Sequence, residues 1–484
     1  MKRLYTLLLL TGLWSAASAQ QGGQSFTLEQ CIQYALENSI TIKNSVVDQE
    51  IADAKVKETR GVGLPQISGS VALQHNQKLP RFFATKSTAA NFAGIATEED
   101  YNNFLPGVAD NDVVALQNFF QLKSSGNAGI NINQLLFSSS YLLGLKAAGA
   151  YRDLAVKTTN QSKETTTQNV SKAYYACLIN KDRMLLFDNN IGRVDSLLRN
   201  TSAMNKNGFA EEIDVDRIQV QLNNLKTERD KFYALQELSL QLLKFQMNYP
   251  MDQPLEATGD LSSLQVDENV LNSYSANWDP ATRSDYQVLE ANRKLQMLDV
   301  KNQYAAGIPT LSASANLGYM TQSPNISGLF KTNSNFEDNG MIGPDKWYTT
   351  STYGVTLNVP LFSGLQRSYR VQQSKLALMK IENNFTQLRS SIDLEIKQTA
   401  TNYLNAVKSL DSQKQNQELA AKIARVTKIK YEQGVGSNIE VVDAENSLKQ
   451  AQTNYYSALY DALVAKVDLD KAYGKFNAQP TETK

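Results

Sequence analysis

Few side chains in this 484-residue chain have the types and spacing that chemistry needs. There is one histidine, His75, and there are two cysteines, Cys31 and Cys177. His75 falls on the apolar side of an alternating stretch, and no Cys/His/acid group with metal-ligand spacing forms around it. No phosphate-binding glycine loop and no nucleophile elbow occurs. The 48 acidic residues are matched by 48 basic ones, so carboxylates are plentiful, yet no motif pairs two of them for acid–base work. The same balance leaves no basic excess for nucleic acid. Two cysteines far apart in helical patterns make no disulfide framework, and the sequence predicts free, buried thiols. The expectation is a chain without catalytic residues, cofactor or metal.

The elements that would position any other site are better marked. Residues 1–19 read as a secretory signal peptide: Lys2 and Arg3 precede the apolar run Leu4–Trp14, and Ala17-Ser18-Ala19 precedes Gln20. That run is shorter than the roughly 20 residues of a spanning helix, and no later stretch is long and apolar enough to supply one. The stretch Tyr431–Leu448, YEQGVGSNIEVVDAENSL, opens on a Gly-x-Gly turn and passes into a helix running to about Ala472. Along it Ala444, Leu448, Ala451, Tyr455, Ala458, Ala462, Ala465, Leu469 and Ala472 recur at steps of four and three, an uncharged coiled-coil seam. The turn occurs earlier as NKNGFAEEIDVDRIQVQL, Asn205–Leu222, with Gly208, Ile213, Val215 and Leu222 matching Gly434, Ile439, Val441 and Leu448 at one constant offset. The chain is therefore a duplication. Before each turn lies a long stretch free of proline, Ser138 to about Asn205 and Gly364 to about Tyr431, which predicts helices of about 100 Å.

A period of two appears four times. Ile67, Gly69, Val71 and Leu73 alternate with Gln66, Ser68, Ser70 and Ala72, after a helix over 26–60 that opens on Thr27 as N-cap with Gln30 three residues on. Ala128, Ile130 and Ile132 alternate with Asn127, Gly129, Asn131 and Asn133; Leu311–Tyr319 and Tyr353–Leu361 repeat the pair. Uncharged polar residues on one face and apolar residues on the other fit a membrane barrel with a wet lumen, with Tyr319, Trp347, Tyr348 and Tyr353 near strand ends as an aromatic girdle. A soluble sheet with one solvated face gives the same alternation. Four strands cannot close a barrel and an open edge in lipid is forbidden, so the membrane reading requires several chains to share one barrel. The connection Lys78–Ser125, with Phe82, Phe83, Tyr101, Phe104, Phe119 and Phe120, reads as a rim loop packing its own aromatics.

Over essentially the whole mature chain the sequence resembles the TolC-like outer-membrane factor family (outer membrane efflux proteins). GLPQISGSVAL (Gly63–Leu73) and GIPTLSASANL (Gly307–Leu317) resemble its helix-to-strand junctions. Asn358–Gly364, echoed by Asn133–Ser138, resembles its strand-to-helix junction, and the YxxG…VVDAxxSL stretch its tip turn. The resemblance implies a mixed α and β membrane fold: duplicated helical hairpins forming an α-barrel tunnel, and four β-strands per chain in a homotrimeric 12-stranded transmembrane β-barrel. It implies an outer-membrane exit duct with a long periplasmic extension, part of a tripartite efflux or type I secretion system. The partners implied are a periplasmic membrane-fusion adaptor, an inner-membrane pump of the RND, ABC or MFS class indirectly, and outer-membrane lipid.

Matching the turns carries over site residues. Glu440 and Asp443 fall where similar channels place acidic rings at the periplasmic constriction. Residues three apart share a helix face, and threefold repetition there would favour cations; a solvated helix start also favours acids. Asp214 and Tyr431 fall at the gate latch, but the family's basic partner is absent, its place being Gly436. Gly208, Phe209, Gly434, Val435 and Gly436 match the turns that meet the adaptor. The organisation expected is a signal peptide at 1–19; a first repeat over 20–248, with strands 66–76 and 126–137 and a tip near 205–213; a linker at 249–284; a second repeat over 285–474, with strands 309–320 and 350–362 and a tip near 432–438; and a tail at 475–484. The competing reading is a soluble periplasmic coiled-coil scaffold without channel activity, which leaves the four strands without a purpose.

Overall fold

A computed structural model describes residues 24–118, 121–259, 278–331, 333–335 and 346–478, together with Leu261, Val270 and Tyr274. The signal peptide, Phe119, Phe120 and residues 479–484 of the tail lie outside the described residues. In chain order the elements are β1 (Gln24–Phe26), α1 (Leu28–Asn38), α2 (Ile40–Gly61), β2 (Gln66–His75), β3 (Phe82–Thr85), α3 (Lys86–Phe92), α4 (Glu98–Asn103), β4 (Val113–Leu116) and β5 (Ser124–Phe137). There follow α5 (Ser139–Lys206), α6 (Glu212–Met247), β6 (Leu255–Ala257), α7 (Ser284–Ala305), β7 (Thr310–Ser323), β8 (Asn333–Asn335), β9 (Lys346–Asn358), α8 (Gln366–Glu432) and α9 (Asn438–Ala472). Among the described residues no helix is long and apolar enough to cross a membrane. The chain divides into two units, one of 1–54, 148–297 and 374–484, the other of 55–147 and 298–373.

The first unit is helical. The 68 residues of α5 and 67 of α8 each span about 100 Å at 1.5 Å per residue. Neither can hold itself up by propensity; burial of one stripe against neighbouring helices does that. In α9 the seam positions Ala444, Leu448, Ala458, Ala462, Leu469 and Ala472 are buried, and the small residues let neighbours approach closely. The main core joins Cys31, Ala35, Val170, Tyr174, Cys177, Leu178, Leu243, Met247, Leu459 and Leu463. Both cysteines are unbonded and buried, and burial pushes Cys31 up to about 12 and Cys177 up to about 11. They stay protonated and inert at neutral pH. Arg283, also buried, ties three elements together: it pairs with Asp285 on α7 (2.9 Å) and Glu395 on α8 (2.8 Å), and donates to the Ala472 carbonyl at the end of α9 (3.2 Å).

Thr27 and Gln30 form the expected capping box, but the expected single helix over 26–60 is three elements. Phe26 ends a strand whose parallel partner is β6, and Ser39 (φ −54, ψ 130) breaks the helix. At the break the Ser39 N–H still closes on the Ala35 carbonyl and the Asn38 side-chain amide donates to the Tyr34 carbonyl.

The second unit is a sheet in the order β2-β5-β7-β9-β8, antiparallel except for the short β8–β9 pair. Of its strands, β2 follows Pro65 and β7 follows Pro309. β9 ends at Asn358 and does not reach 362, because Pro360 has no N–H for a ladder. It begins earlier than expected, at Lys346, and β7 continues to Ser323. The register sets side chains across the sheet. Ile67 faces Ile132, Ile130 faces Leu317, Ala315 faces Tyr353 and Ala313 faces Val355, one apolar face. It is open: Val71 is 74% exposed and Tyr353 73%. On the other face Asn316 donates to Asn131 (2.7 Å) and Asn131 to Ser70 (3.4 Å), a polar ladder across three strands. Among the described residues both edges are unfinished, since β2 pairs only with β5, and β9 beyond Tyr348 pairs only with β7. Between β2 and β5 the connection is not irregular. β3 and β4 form a hairpin packed by α3, with Phe82 edge-on to Phe92.

Candidate functional site

The two helical turns are built alike. After α5, Gly208 takes φ +81 and the Phe209 N–H returns to the Met204 carbonyl at 2.9 Å; after α8, Gly434 takes φ +76 and the Val435 N–H returns to Lys430 at 3.0 Å. A left-handed residue that closes the last turn in this way is where glycine is needed. Gly208→Ala should therefore cost the first hairpin about 1 kcal/mol, read as a lower thermal midpoint of the helical circular dichroism signal. Gly436 is tight for a different reason: a Cβ there would come 3.1 Å from Lys430 Cβ and from the Tyr431 nitrogen, so its neighbours would have to give way.

Beneath the turns lies one apolar cluster, Phe187, Val194, Leu197, Ile218, Leu222, Leu225, Tyr431 and Val441, with Phe232 stacked on Phe187 at 4.8 Å. It draws on all four helices. Phe187→Ala should destabilise this end by about 3–5 kcal/mol, again seen in the melting of the helical signal.

A column of polar contacts joins the hairpin α5/α6 to the hairpin α8/α9. Asn438 donates to the Asp214 carbonyl (2.9 Å) and the Tyr431 hydroxyl meets Thr201 (3.1 Å). Gln221 donates to Asn446 (2.5 Å), Arg193 pairs with Glu445 (3.2 Å) and Lys449 with Glu228 (3.2 Å). Asn190 then donates to Gln452 (3.1 Å) and Arg183 to Ser457 (2.5 Å). Glu445 is only 8% exposed, so its carboxylate depends on Arg193 for charge compensation.

The residues singled out from the sequence fall around this column. Asp214 and Tyr431 sit in it but not on each other: the Asp214 carboxylate is engaged by Arg217 at 3.4 Å, one turn along its own helix, and Tyr431 is buried against Thr201. Glu440 and Asp443 lie in the first turns of α9, exposed, with no side-chain partner among the described residues. Ser437 caps that helix by accepting from the Glu440 N–H. Phe209 (80% exposed) and Val435 (78%) project from the turns, and Ile213 and Ile439 behind them are also exposed. Thr201, Arg193, Glu445 and Lys449 were not found from the sequence. The signal for the last two is that Glu445, Lys449 and Gln452 each follow a seam position of α9, the flanking register that carries interhelical polar pairs.

Residues 281–475 match the family model for outer membrane efflux proteins. The chain is TolC-like. It is 22% identical to the outer membrane protein TolC of Vibrio cholerae over 354 residues, 73% of this chain and 77% of that one. It is 21% identical to TolC of Escherichia coli K12 over 486 residues, 99% and 88%. The fold matches the Campylobacter jejuni CmeC outer membrane channel with a TM-score of 0.67 at 15% identity, over 94% of this chain and 87% of that one. It matches the open state of the Neisseria gonorrhoeae MtrE outer membrane channel at 0.67 and 16%, over 92% and 88%. A 133-residue match to an acetate kinase of Flavobacterium johnsoniae covers 26% of this chain and 34% of that enzyme, too little of it to bring a kinase with it. The TolC-like chain is an outer-membrane protein of the efflux-channel kind and not an enzyme.

Proposed function

We propose that this protein is the passive outer-membrane exit duct of a tripartite efflux or type I secretion system, working as a homotrimer. The observation that carries this is the sheet: four long strands, an exposed apolar face, a polar face and two unpaired edges. Unpaired amides find no water in lipid, and three copies joined β2 to β9 supply twelve strands and remove every edge. The soluble-scaffold alternative would leave Val71, Tyr353, Val355 and Leu357 in water on a contiguous face, which a free protein avoids.

The turns then form the periplasmic gate. Phe209, Val435, Ile213 and Ile439, presented by Gly208, Gly434 and Gly436, are an apolar surface suited to the hairpin of a periplasmic adaptor, which brings the duct an inner-membrane pump. Opening swings the second hairpin away from the first, with Asn438–Asp214 and Tyr431–Thr201 among the contacts that give way. The chain supplies no energy and no chemistry. Specificity for cargo resides in the pump.

Glu440 and Asp443 form acidic rings at the constriction, six carboxylates in a trimer. Neutralising both, as Glu440→Gln with Asp443→Asn, should move the reversal potential in a salt gradient most of the way to zero in planar bilayers. An unchanged reversal potential would remove these residues from the pore.

A further inference from the structure

The strands β2, β5, β7 and β9 carry no charged side chain except Lys346, the first residue of β9. Moving outward along the chain, the first charge met is basic beyond seven of the eight strand ends; at the eighth, β9 itself starts on Lys346, with Asp345 next before it. Where the strands lead into the long loops the basic residues are Lys78, Lys123, Lys331 and Lys346; where they lead into helices they are Arg60, Lys146, Lys301 and Arg367. Acids and bases are equal in number in this chain, so composition does not produce that run of one sign. A charge-free apolar band bracketed by cations matches a hydrocarbon layer between two planes of phosphate.

The loop end of β2 and β5 concentrates the feature. His75 pairs with Ser124, and the Asn76 N–H donates to the Lys123 carbonyl at 2.7 Å, so Lys123 borders the strand end from which Lys78 and Arg81 follow. All three are exposed and have no carboxylate partner among the described residues. On the apolar face at this level a 3-10 turn, Ile326–Phe330, is fastened to the sheet by the Trp347 indole N–H, which donates to the Leu329 carbonyl at 3.2 Å. Leu329 is buried, along with Ser124, Thr321 and Ser323, while Ile326 and Phe330 are left exposed. A soluble loop gains nothing from that arrangement; an interfacial one lays the two side chains against acyl chains.

We propose that this outer strand end is a binding surface for the anionic phosphate headgroup of an outer-leaflet membrane lipid. Lys78, Arg81 and Lys123 take the phosphate, and Ile326 and Phe330 lie against the acyl chains. The inference rests on the barrel's lying in the membrane and not on the gate or any partner. Charge complementarity selects the occupant: three unpaired cations beside an apolar surface suit a lipid carrying net negative charge and discriminate against a zwitterionic one.

The test is native mass spectrometry of the delipidated protein in a neutral detergent, titrated with phosphatidylglycerol and with phosphatidylcholine of the same acyl chains. The protein should bind phosphatidylglycerol more tightly. Lys78→Gln/Arg81→Gln/Lys123→Gln should weaken that binding by about fivefold per cation, towards the phosphatidylcholine level, with single-channel conductance unchanged. Equal phosphatidylglycerol binding by variant and parent would overturn the proposal, as would displacement of the lipid by soluble glycerol phosphate. Should the variant not fold, the unaltered protein decides: raising the salt tenfold must weaken phosphatidylglycerol binding several-fold, and an affinity indifferent to salt rejects the site. Loss of pore activity in the unaltered protein would count against the duct and leave the lipid result standing.

Discussion

Val71→Arg should keep the protein from assembling in the outer membrane, whereas Ser70→Arg, one residue earlier, should be tolerated. Val71 lies mid-strand in β2 and is 74% exposed on the face it shares with Ile67, Ile130, Leu317 and Val355. An arginine on the lipid face near the bilayer midplane costs about 2–4 kcal/mol, and a trimer incurs it three times, on the order of 10 kcal/mol in all. That rivals the whole stability of a typical domain. Ser70 points the other way, within 3.4 Å of Asn131 in the polar ladder, where an arginine meets water and narrows the passage. The measurement is the fraction of each variant recovered from the outer membrane as oligomer. Tolerance of both substitutions would indicate a solvated sheet, and the reverse order would turn the sheet inside out.

Arg193→Ala should loosen the contact between the two hairpins, and with it the gate proposed above. The Arg193 guanidinium donates to Asn190 at 2.5 Å and pairs with Glu445 at 3.2 Å, and its removal strands a buried carboxylate between two helices. Breaking a fully buried pair from one side costs 3–5 kcal/mol; this arginine is partly exposed, so about 2 kcal/mol is expected. Single-channel conductance should rise as the second hairpin gains freedom. Arg193→Leu with Glu445→Leu removes both charges and should recover much of the stability. Lys428→Ala is the contrast: its pair with Glu432 is long, 3.9 Å, and half exposed, and its loss should be worth under about 0.5 kcal/mol. Equal effects from Arg193→Ala and Lys428→Ala would show that the column of polar contacts does not hold the hairpins together.

How much of this was visible in the sequence follows from the range of the interactions involved. Local signals were legible: the Thr27–Gln30 cap, the glycines at 208 and 434, the seam of α9 and the four alternating stretches each announce themselves within a few residues. The hairpin β3/β4 was missed because Phe82–Thr85 and Val113–Leu116 are four residues each, too short for alternation to register. The break at Ser39 was missed because Ile40 and Ile42 continue an apolar pattern across it. β1 and β6 read as helix start and linker because their pairing joins the start of the first repeat to the linker that follows it. The column at the gate is the extreme case: Thr201–Tyr431, Arg193–Glu445 and Lys449–Glu228 join residues more than 200 positions apart, and nothing local marks one polar helix residue as the partner of another. The turn match singled out Asp214 and Tyr431, of which the Asp214 carbonyl and the Tyr431 hydroxyl enter that column. It could not show that Thr201 and Arg217 hold their side chains within the chain.

The central claim, that copies of this chain share one barrel and conduct, is tested most directly by measuring the mass and conductance of the detergent-extracted mature protein. A trimer that inserts into planar bilayers and gives small, cation-preferring pores is the predicted result. A water-soluble monomer or dimer without pore activity would contradict it.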